Sequence, residues 1–295
     1  GDIDLVIVDL YPFEDTLASG AKEEEIIAKI DIGGVALIRA AAKNFNDVVV
    51  IPSKHQYAEL AKILKNTKES CETTLEERKK FAGNAFEVTS MYDSAIRAYF
   101  QGVSLRYGEN PHQKAQFVGN LAESFTQLHG KELSYNNLID TEAAILTVGD
   151  FKDPAFAIIK HMNTCGLAVR EEGNLFEAYK AAYNADPLSA FGGILAANRK
   201  IEEDIAKLIK EQKLFIEVII APDFSKEALD ILMEKKDCRI LKWGNPTLPS
   251  KQMRTCFTGV LTQDRDSHVE TEADFKVVTK RAPTEKEKKD LLIAA

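Results

Sequence analysis

Short, largely apolar runs separated by longer segments of helical periodicity constrain this chain more than any other feature. Val48-Val49-Val50-Ile51, Phe156-Ala157-Ile158-Ile159, Ile194-Leu195-Ala196-Ala197 and Ile216 to Ala221 are each the length of one strand. Runs without regular polar alternation belong to strands covered on both faces. Helical stretches lie between them: Glu23 to Ile30, Val35 to Asn44, Tyr57 to Leu64, Leu75 to Tyr99, Asp140 to Val148, Leu175 to Asn184, Ile201 to Gln212 and Lys226 to Lys235. This alternation predicts an α/β layer structure on a mostly parallel sheet. Asp2 to Leu10 reads as a further buried strand that stops at Tyr11-Pro12-Phe13, and Arg239 to Lys242 and Thr258 to Asp264 as later strands. A buried strand starting so early predicts that a longer natural chain precedes Gly1. A sheet lacking its first strands would expose an edge prone to aggregation.

A chain of 295 residues with 45% hydrophobic content has room for about two domains. The boundary is expected near Gly102, after the long helix, and Lys65 to Thr74 is expected to be a loop. The net charge of -8 argues against a broad nucleic-acid surface, yet leaves room for a local basic pocket for a phosphorylated small molecule. Cys71, Cys165, Cys238 and Cys256 form no CxxC pair, so neither a disulfide framework nor a thiolate zinc site is signalled. No apolar run approaches the roughly 18 residues of a membrane span, and the acidic start argues against a secretory signal. Reduced thiols in the cytoplasm, with no membrane or nucleic-acid partner, are the expectation.

Lys160-His161-Met162-Asn163-Thr164-Cys165-Gly166 follows directly on the Phe156 to Ile159 run. The pattern predicts a buried strand that brings Lys160 and His161 out of the sheet side by side, with Asn163 to Gly166 turning the backbone sharply. Lys supplies a fixed positive charge or a proton, and His accepts a proton near neutral pH without a metal. The same residue types equally suit a solvated Lys160, a core His161 and an ordinary turn glycine at Gly166.

Other stretches leave similar alternatives. In Asp31-Ile32-Gly33-Gly34, glycines opening a helix make either an anion site at its N-terminus or a plain break between helices. Arg39 and Lys43 share a face of that helix, as ligand groups or as solvated cations. Leu105 to Gln113 is polar and turn-forming: Arg106 suits a phosphate or carboxylate and His112 a heterocycle, or Pro111 fixes a turn with the charges in water. Asn137 suits a base edge or a helix cap. In Asp186 to Gly193, the paired glycines let backbone approach a ligand or accommodate a kink at a strand start.

Five of these stretches, in order, resemble the AICAR transformylase/IMP cyclohydrolase family of purine biosynthesis. Tyr11-Pro12-Phe13 and Ile30 to Asn44 are similar to its cyclohydrolase half; Leu105 to Gln113, Lys160 to Gly166 and Asp186 to Gly193 are similar to its formyltransferase half. The resemblance implies a partial methylglyoxal-synthase-like (Rossmann-like) domain with linking helices over residues 1–101. Residues 102–295 would be the first cytidine-deaminase-like, three-layer α/β repeat of the transformylase domain. It also implies formyl transfer from 10-formyltetrahydrofolate, a co-substrate, to AICAR, then ring closure of formyl-AICAR to IMP, in a homodimer with shared transferase sites.

Position by position, the resemblance makes Lys160 and His161 the catalytic pair of the transferase. Arg106, Tyr107, His112, Asn137 and Asn163 would bind the nucleotide, with Ser189, Phe191 and Gly192 lining the site. Tyr11, Asp31 and Lys43 match the cyclohydrolase positions, with Gly33, Gly34 and Arg39 around its nucleotide. Three departures accompany the match: Thr164 stands where the family has Pro, the family's Gly-rich phosphate-binding segment is absent ahead of Gly1, and the family continues past Ala295 into a second repeat. The chain is therefore expected to be an internal fragment. The zinc-deaminase signature is missing, because Met162 and Asn163 follow His161 and no P-C-x-x-C is present, so no catalytic metal is expected. The rival expectation is a nucleotide-binding, dimerising fragment without turnover.

Overall fold

The computed structural model describes residues 3–66, 72–170, 174–244 and 249–294. Asp2, Cys71 and residues 67–71 of the loop expected over Lys65 to Thr74 lie outside the described residues. The chain divides into two units, Gly1–Val103 and Ser104–Ala295.

The first unit runs β1 (Leu5–Ile7), α1 (Phe13–Ala18), α2 (Glu23–Ile27), α3 (Gly33–Lys43), β2 (Val49–Ile51), α4 (Tyr57–Asn66) and α5 (Leu75–Gln101). β1 and β2 pair in parallel, Val6 opposite Val50. β2 is fully buried, and its core gathers Ile38, Ala41 and Ala42 of α3, Leu60 of α4, and Phe81, Ala82 and Ala85 of α5. β1 departs from expectation: it is three residues long, and Leu5 and Ile7 are 40% and 47% exposed, so Asp2 to Leu10 is not one buried strand. Pro12 precedes α1, a helix that the sequence pattern did not signal; its fixed φ and missing N–H suit that place. α5 starts in a capping box, the Thr74 hydroxyl accepting the Glu77 N–H while the Glu77 carboxylate accepts that of Thr74.

The junction strand β3 (Gly102–Ser104) leads into β4 (Gln116–Val118), β5 (Phe125–His129), α6 (Tyr135–Gly149), β6 (Ala155–Lys160), β7 (Asn163–Val169) and α7 (Leu175–Ala185). Then follow β8 (Gly193–Ala197), α8 (Glu203–Glu211), β9 (Ile216–Ala221), α9 (Lys226–Leu232), β10 (Arg239–Trp243), the hairpin β11 (Lys251–Cys256) and β12 (Gly259–Asp264), and α10 (Glu285–Ala294). Six of these strands form one sheet in the order β5-β10-β9-β8-β6-β7.

Alternate residues of the buried strands serve opposite faces, as strand geometry requires. Phe156, Ile158, Leu195, Ile219 and Ile240 pack with Tyr179 of α7, Ile205 and Ile209 of α8, and Leu232 of α9. Ala157, Ile159, Ile194, Ala196, Val218, Ile220 and Leu241 pack on the other side with Ala144, Ile145 and Val148 of α6. This mixed α/β arrangement is three layers thick. The sheet is not mostly parallel: β10–β9 and β9–β8 are parallel, whereas β5–β10, β8–β6 and β6–β7 are antiparallel. β6 and β7 are joined by two residues, and a connection that short permits only antiparallel pairing. Among the described residues no helix is long and apolar enough to cross a membrane.

Candidate active site

The end of β6 carries the first candidate site. Ala155 to Ile159 are completely buried, and Lys160 is the first residue of the strand to reach the surface. Lys160 pairs with Asn163, so His161 and Met162 form a two-residue hairpin loop. Both have positive φ, 53° and 62°. That hand matches the twist of the strands it joins, but Asn and Gly adopt it far more readily than His or Met. The sharp turn is therefore at His161-Met162, and not over Asn163 to Gly166, which is strand.

Side chains compensate for this backbone. The Asp140 carboxylate of α6 accepts the Met162 N–H at 2.8 Å, and Asn163 Nδ2 donates to the His161 carbonyl at 2.8 Å. The β6–β7 register slips between Ile158 and Ile159, which leaves Cys165 bulged with its thiol donating to the Ile158 carbonyl at 3.3 Å.

Lys160 Nζ donates to the Phe191 carbonyl at 2.7 Å, which brings the turn before β8 beside the hairpin. Asp186 organises that turn by accepting the Ser189 hydroxyl at 2.5 Å and the Ser189 N–H at 3.0 Å. Those two bonds, with smaller help from the Leu188 N–H and the Lys160 charge, hold the Asp186 carboxyl below the usual range. Gly192 donates its N–H to the Phe215 carbonyl at 2.8 Å, and the Phe191 ring packs against Phe215 at 5.5 Å between centroids while 58% exposed.

The 105–113 stretch closes on itself through Gly108 N–H to the Gln113 carbonyl at 2.8 Å and Asn110 N–H to Gln113 Oε1 at 2.8 Å. It docks on the start of α6, where Tyr135 N–H reaches the Tyr107 carbonyl at 3.3 Å and Asn136 Nδ2 the Glu109 carbonyl at 3.1 Å. The Arg106 guanidinium lies 5.3 Å from the Tyr107 ring centroid. Asn137 takes the capping role, its Oδ1 accepting the Ser134 N–H at 3.1 Å, so that acceptor is committed to the helix start. His112 is exposed and makes no hydrogen bond among the described residues. α6 thus holds the 105–113 stretch at its first turn and the hairpin at Asp140, about 6–8 Å further along its axis.

An ammonium anchored on a carbonyl, an imidazole on a held turn and a carboxylate behind that turn can stabilise a developing oxyanion and accept a proton nearby. Among the described residues no three His, Cys, Asp or Glu side chains gather as ligands for a metal ion. Asp140 and Asp186 are functional candidates that the sequence pattern missed. For Asp186 a signal existed, since Asp three residues before Ser is a turn-forming pair.

In the first unit, Tyr11, Asp31 and Gly34 come together. Asp31 accepts the Tyr11 N–H at 3.3 Å and the Gly34 N–H at 2.7 Å, while its own N–H donates to the Tyr92 hydroxyl at 2.9 Å. The Lys29 ammonium lies 5.6 Å from the Tyr11 ring centroid. The start of α3 thus already holds a carboxylate from the same chain at the Gly34 N–H. A Cβ at Gly34 would stand 2.7 Å from both Asp31 carboxylate oxygens, whereas Gly33 faces open space. Arg39 stacks over Phe86 of α5 at 5.5 Å. Lys43 ends α3, nine residues beyond Gly34 and about 13 Å along the axis, so the structure places it apart from Tyr11 and Asp31.

Residues 41–295 match the family model described as AICARFT/IMPCHase bienzyme. The chain is 51% identical over 306 residues to the bifunctional purine biosynthesis protein PurH of Bacteroides thetaiotaomicron, covering 99% of this chain and 59% of that protein. The namesake from Rhodospirillum rubrum is 48% identical, with 99% and 59% covered, and that of Caldicellulosiruptor saccharolyticus 42% identical, with 99% and 61% covered. The chain therefore spans about three-fifths of the length of these curated relatives.

Proposed function

The chain belongs to the AICARFT/IMPCHase bienzyme family, and from that premise we propose that it serves purine biosynthesis by formyl transfer from 10-formyltetrahydrofolate to AICAR, the whole protein also closing formyl-AICAR to IMP. The observation that carries this is the Lys160 ammonium pinned to the Phe191 carbonyl at 2.7 Å, next to His161 on its held turn. The AICAR amine is a poor nucleophile because its lone pair is delocalised into the imidazole and carboxamide. As the new C–N bond forms at the formyl carbon, His161 takes the amine proton and Lys160 stabilises the oxyanion. The bond from that carbon to the folate nitrogen then breaks, and His161 returns the proton to the departing nitrogen.

Arg106, Tyr107, His112, Asn137 and Asn163 bind the nucleotide in this scheme. Ser189, Phe191 and Gly192 line the site, the exposed Phe191 ring offering a flat apolar surface to a heterocycle. In the cyclohydrolase, Tyr11, Asp31 and Lys43 are the groups that act on the nucleotide, with Gly33, Gly34 and Arg39 around it. The three-layer arrangement of the second unit supports a cytidine-deaminase-like repeat over 102–295, and the parallel β1–β2 pair supports a methylglyoxal-synthase-like domain over 1–101. A cytoplasmic homodimer completes the proposal.

Formyl transfer by the chain and by its Lys160→Ala and His161→Ala variants, with calorimetric AICAR binding on the same samples, tests it. Turnover is expected to fall by roughly 10²–10⁴ in each variant while AICAR still binds. Variants that turn over normally would move the chemistry off this pair. Binding without turnover by the unsubstituted chain would make it a nucleotide-binding module.

A further inference from the structure

The hairpin that presents His161 is held by a carboxylate that belongs to neither of its strands. Two consecutive residues with side chains, His161 and Met162, occupy the left-handed region, where each is disfavoured by about 1–2 kcal/mol. Such a turn persists only where its surroundings over-determine it. Here the support comes from α6, whose own position is set by Ala144, Ile145 and Val148 in the core beneath the sheet. Asp140 projects from that helix, and its Oδ1 accepts the Met162 N–H at 2.8 Å. The His161 N–H and the His161 side-chain charge also act on this carboxylate, in the direction that favours its ionised form, while burial opposes them and prevails in raising its pKa. The Lys160 ammonium and the Asp186 carboxylate, also at this end of the sheet, act on one another, and further along it Arg239 pairs with Glu217.

We propose that Asp140 is the positioning residue for His161, holding the His161-Met162 turn through its backbone and so fixing where the imidazole stands. The proposal rests on His161 being the proton acceptor of formyl transfer. It assigns work to a residue that acts through the backbone of the turn: it holds the strained hairpin from which the imidazole projects.

The test uses Asp140→Asn and Asp140→Ala, read through the backbone amide signals and solvent exchange of the hairpin. Asn at this position still offers an oxygen to the Met162 N–H but lacks the charge. In Asp140→Asn the hairpin amide signals are expected to stay in place, because its side-chain oxygen still accepts the Met162 N–H. In Asp140→Ala the Met162 amide is expected to exchange faster with solvent. Formyl transfer should lose roughly ten- to hundredfold in kcat in Asp140→Ala and less in Asp140→Asn, with AICAR affinity unchanged in both. Unchanged exchange of the Met162 amide in Asp140→Ala, or kcat equal to that of the unsubstituted chain in both variants, overturns the proposal. The amide-exchange measurement needs no turnover, so a chain that fails to transfer formyl removes the function on which the proposal rests and still leaves the hold of Asp140 on the turn decided.

Discussion

Gly166 illustrates how one residue can be misjudged from its neighbours in sequence. It lies within β7, not in a turn, and a Cβ there would overlap the Ala182 carbonyl oxygen of α7, with the carbonyl carbon 2.9 Å away. Gly166→Ala must therefore push α7 off the sheet. It is expected to lower stability by about 1–3 kcal/mol, read as a lower urea midpoint with unchanged slope. An unaltered midpoint would mean that α7 yields freely. Asp31 teaches the same lesson with charge. Its type and spacing before Gly33-Gly34 were visible, but that its carboxylate fills the helix start required knowing that the Tyr11 N–H approaches from 20 residues away. Lys160 and His161 were legible as a pair because they follow an apolar run whose end must reach the surface. Their supports were not, since Phe191 and Asp140 are 31 and 22 residues from the atoms they hold.

The β6–β7 hairpin is the element that makes the site, and only half of it was evident. β6 announces itself as Phe156 to Ile159; β7 begins Asn-Thr-Cys-Gly, a composition that reads as turn, and becomes a strand because β6 pairs with it. The two-residue loop between them demands left-handed backbone that its residues resist. Met162→Gly, at a position 60% exposed, is expected to raise stability by up to about 1 kcal/mol in urea unfolding, because it relieves this strain and buries nothing less. A loss of stability would show that the Asp140 and Asn163 bonds already remove the strain. α6 differs again: its capping box over Ser134 and Asn137 is a local signal, whereas its service to two loops is visible only once the sheet is assembled.

At the scale of the whole molecule, buried acids are expected to lower stability at alkaline pH. Burial pushes the Cys238 thiol from the ordinary 9.0 up to about 12, and the Tyr179 phenol upward as well, both within the larger core of the second unit. A group whose folded pKa is raised favours the native state fully below its unfolded pKa. That advantage is lost as pH climbs through the folded value. Stability should therefore be undiminished by Cys238 below about pH 9 and fall by about 2 kcal/mol by about pH 10.5. Urea midpoints at the two pH values measure this, and Cys238→Ala is expected to show the smaller fall; an equal fall would place the alkaline sensitivity elsewhere. The residue order alone determined β2, β6, β8 and β9, the longer helices between them and the family motifs, because a strand covered on both faces needs an unbroken apolar run, which is a local property. The tertiary structure alone decided strand direction, the hand of the His161-Met162 turn, the conversion of Asn163 to Val169 into strand, and the carboxylates behind the site. Each of those depends on hydrogen-bond partners that the chain brings together only by folding.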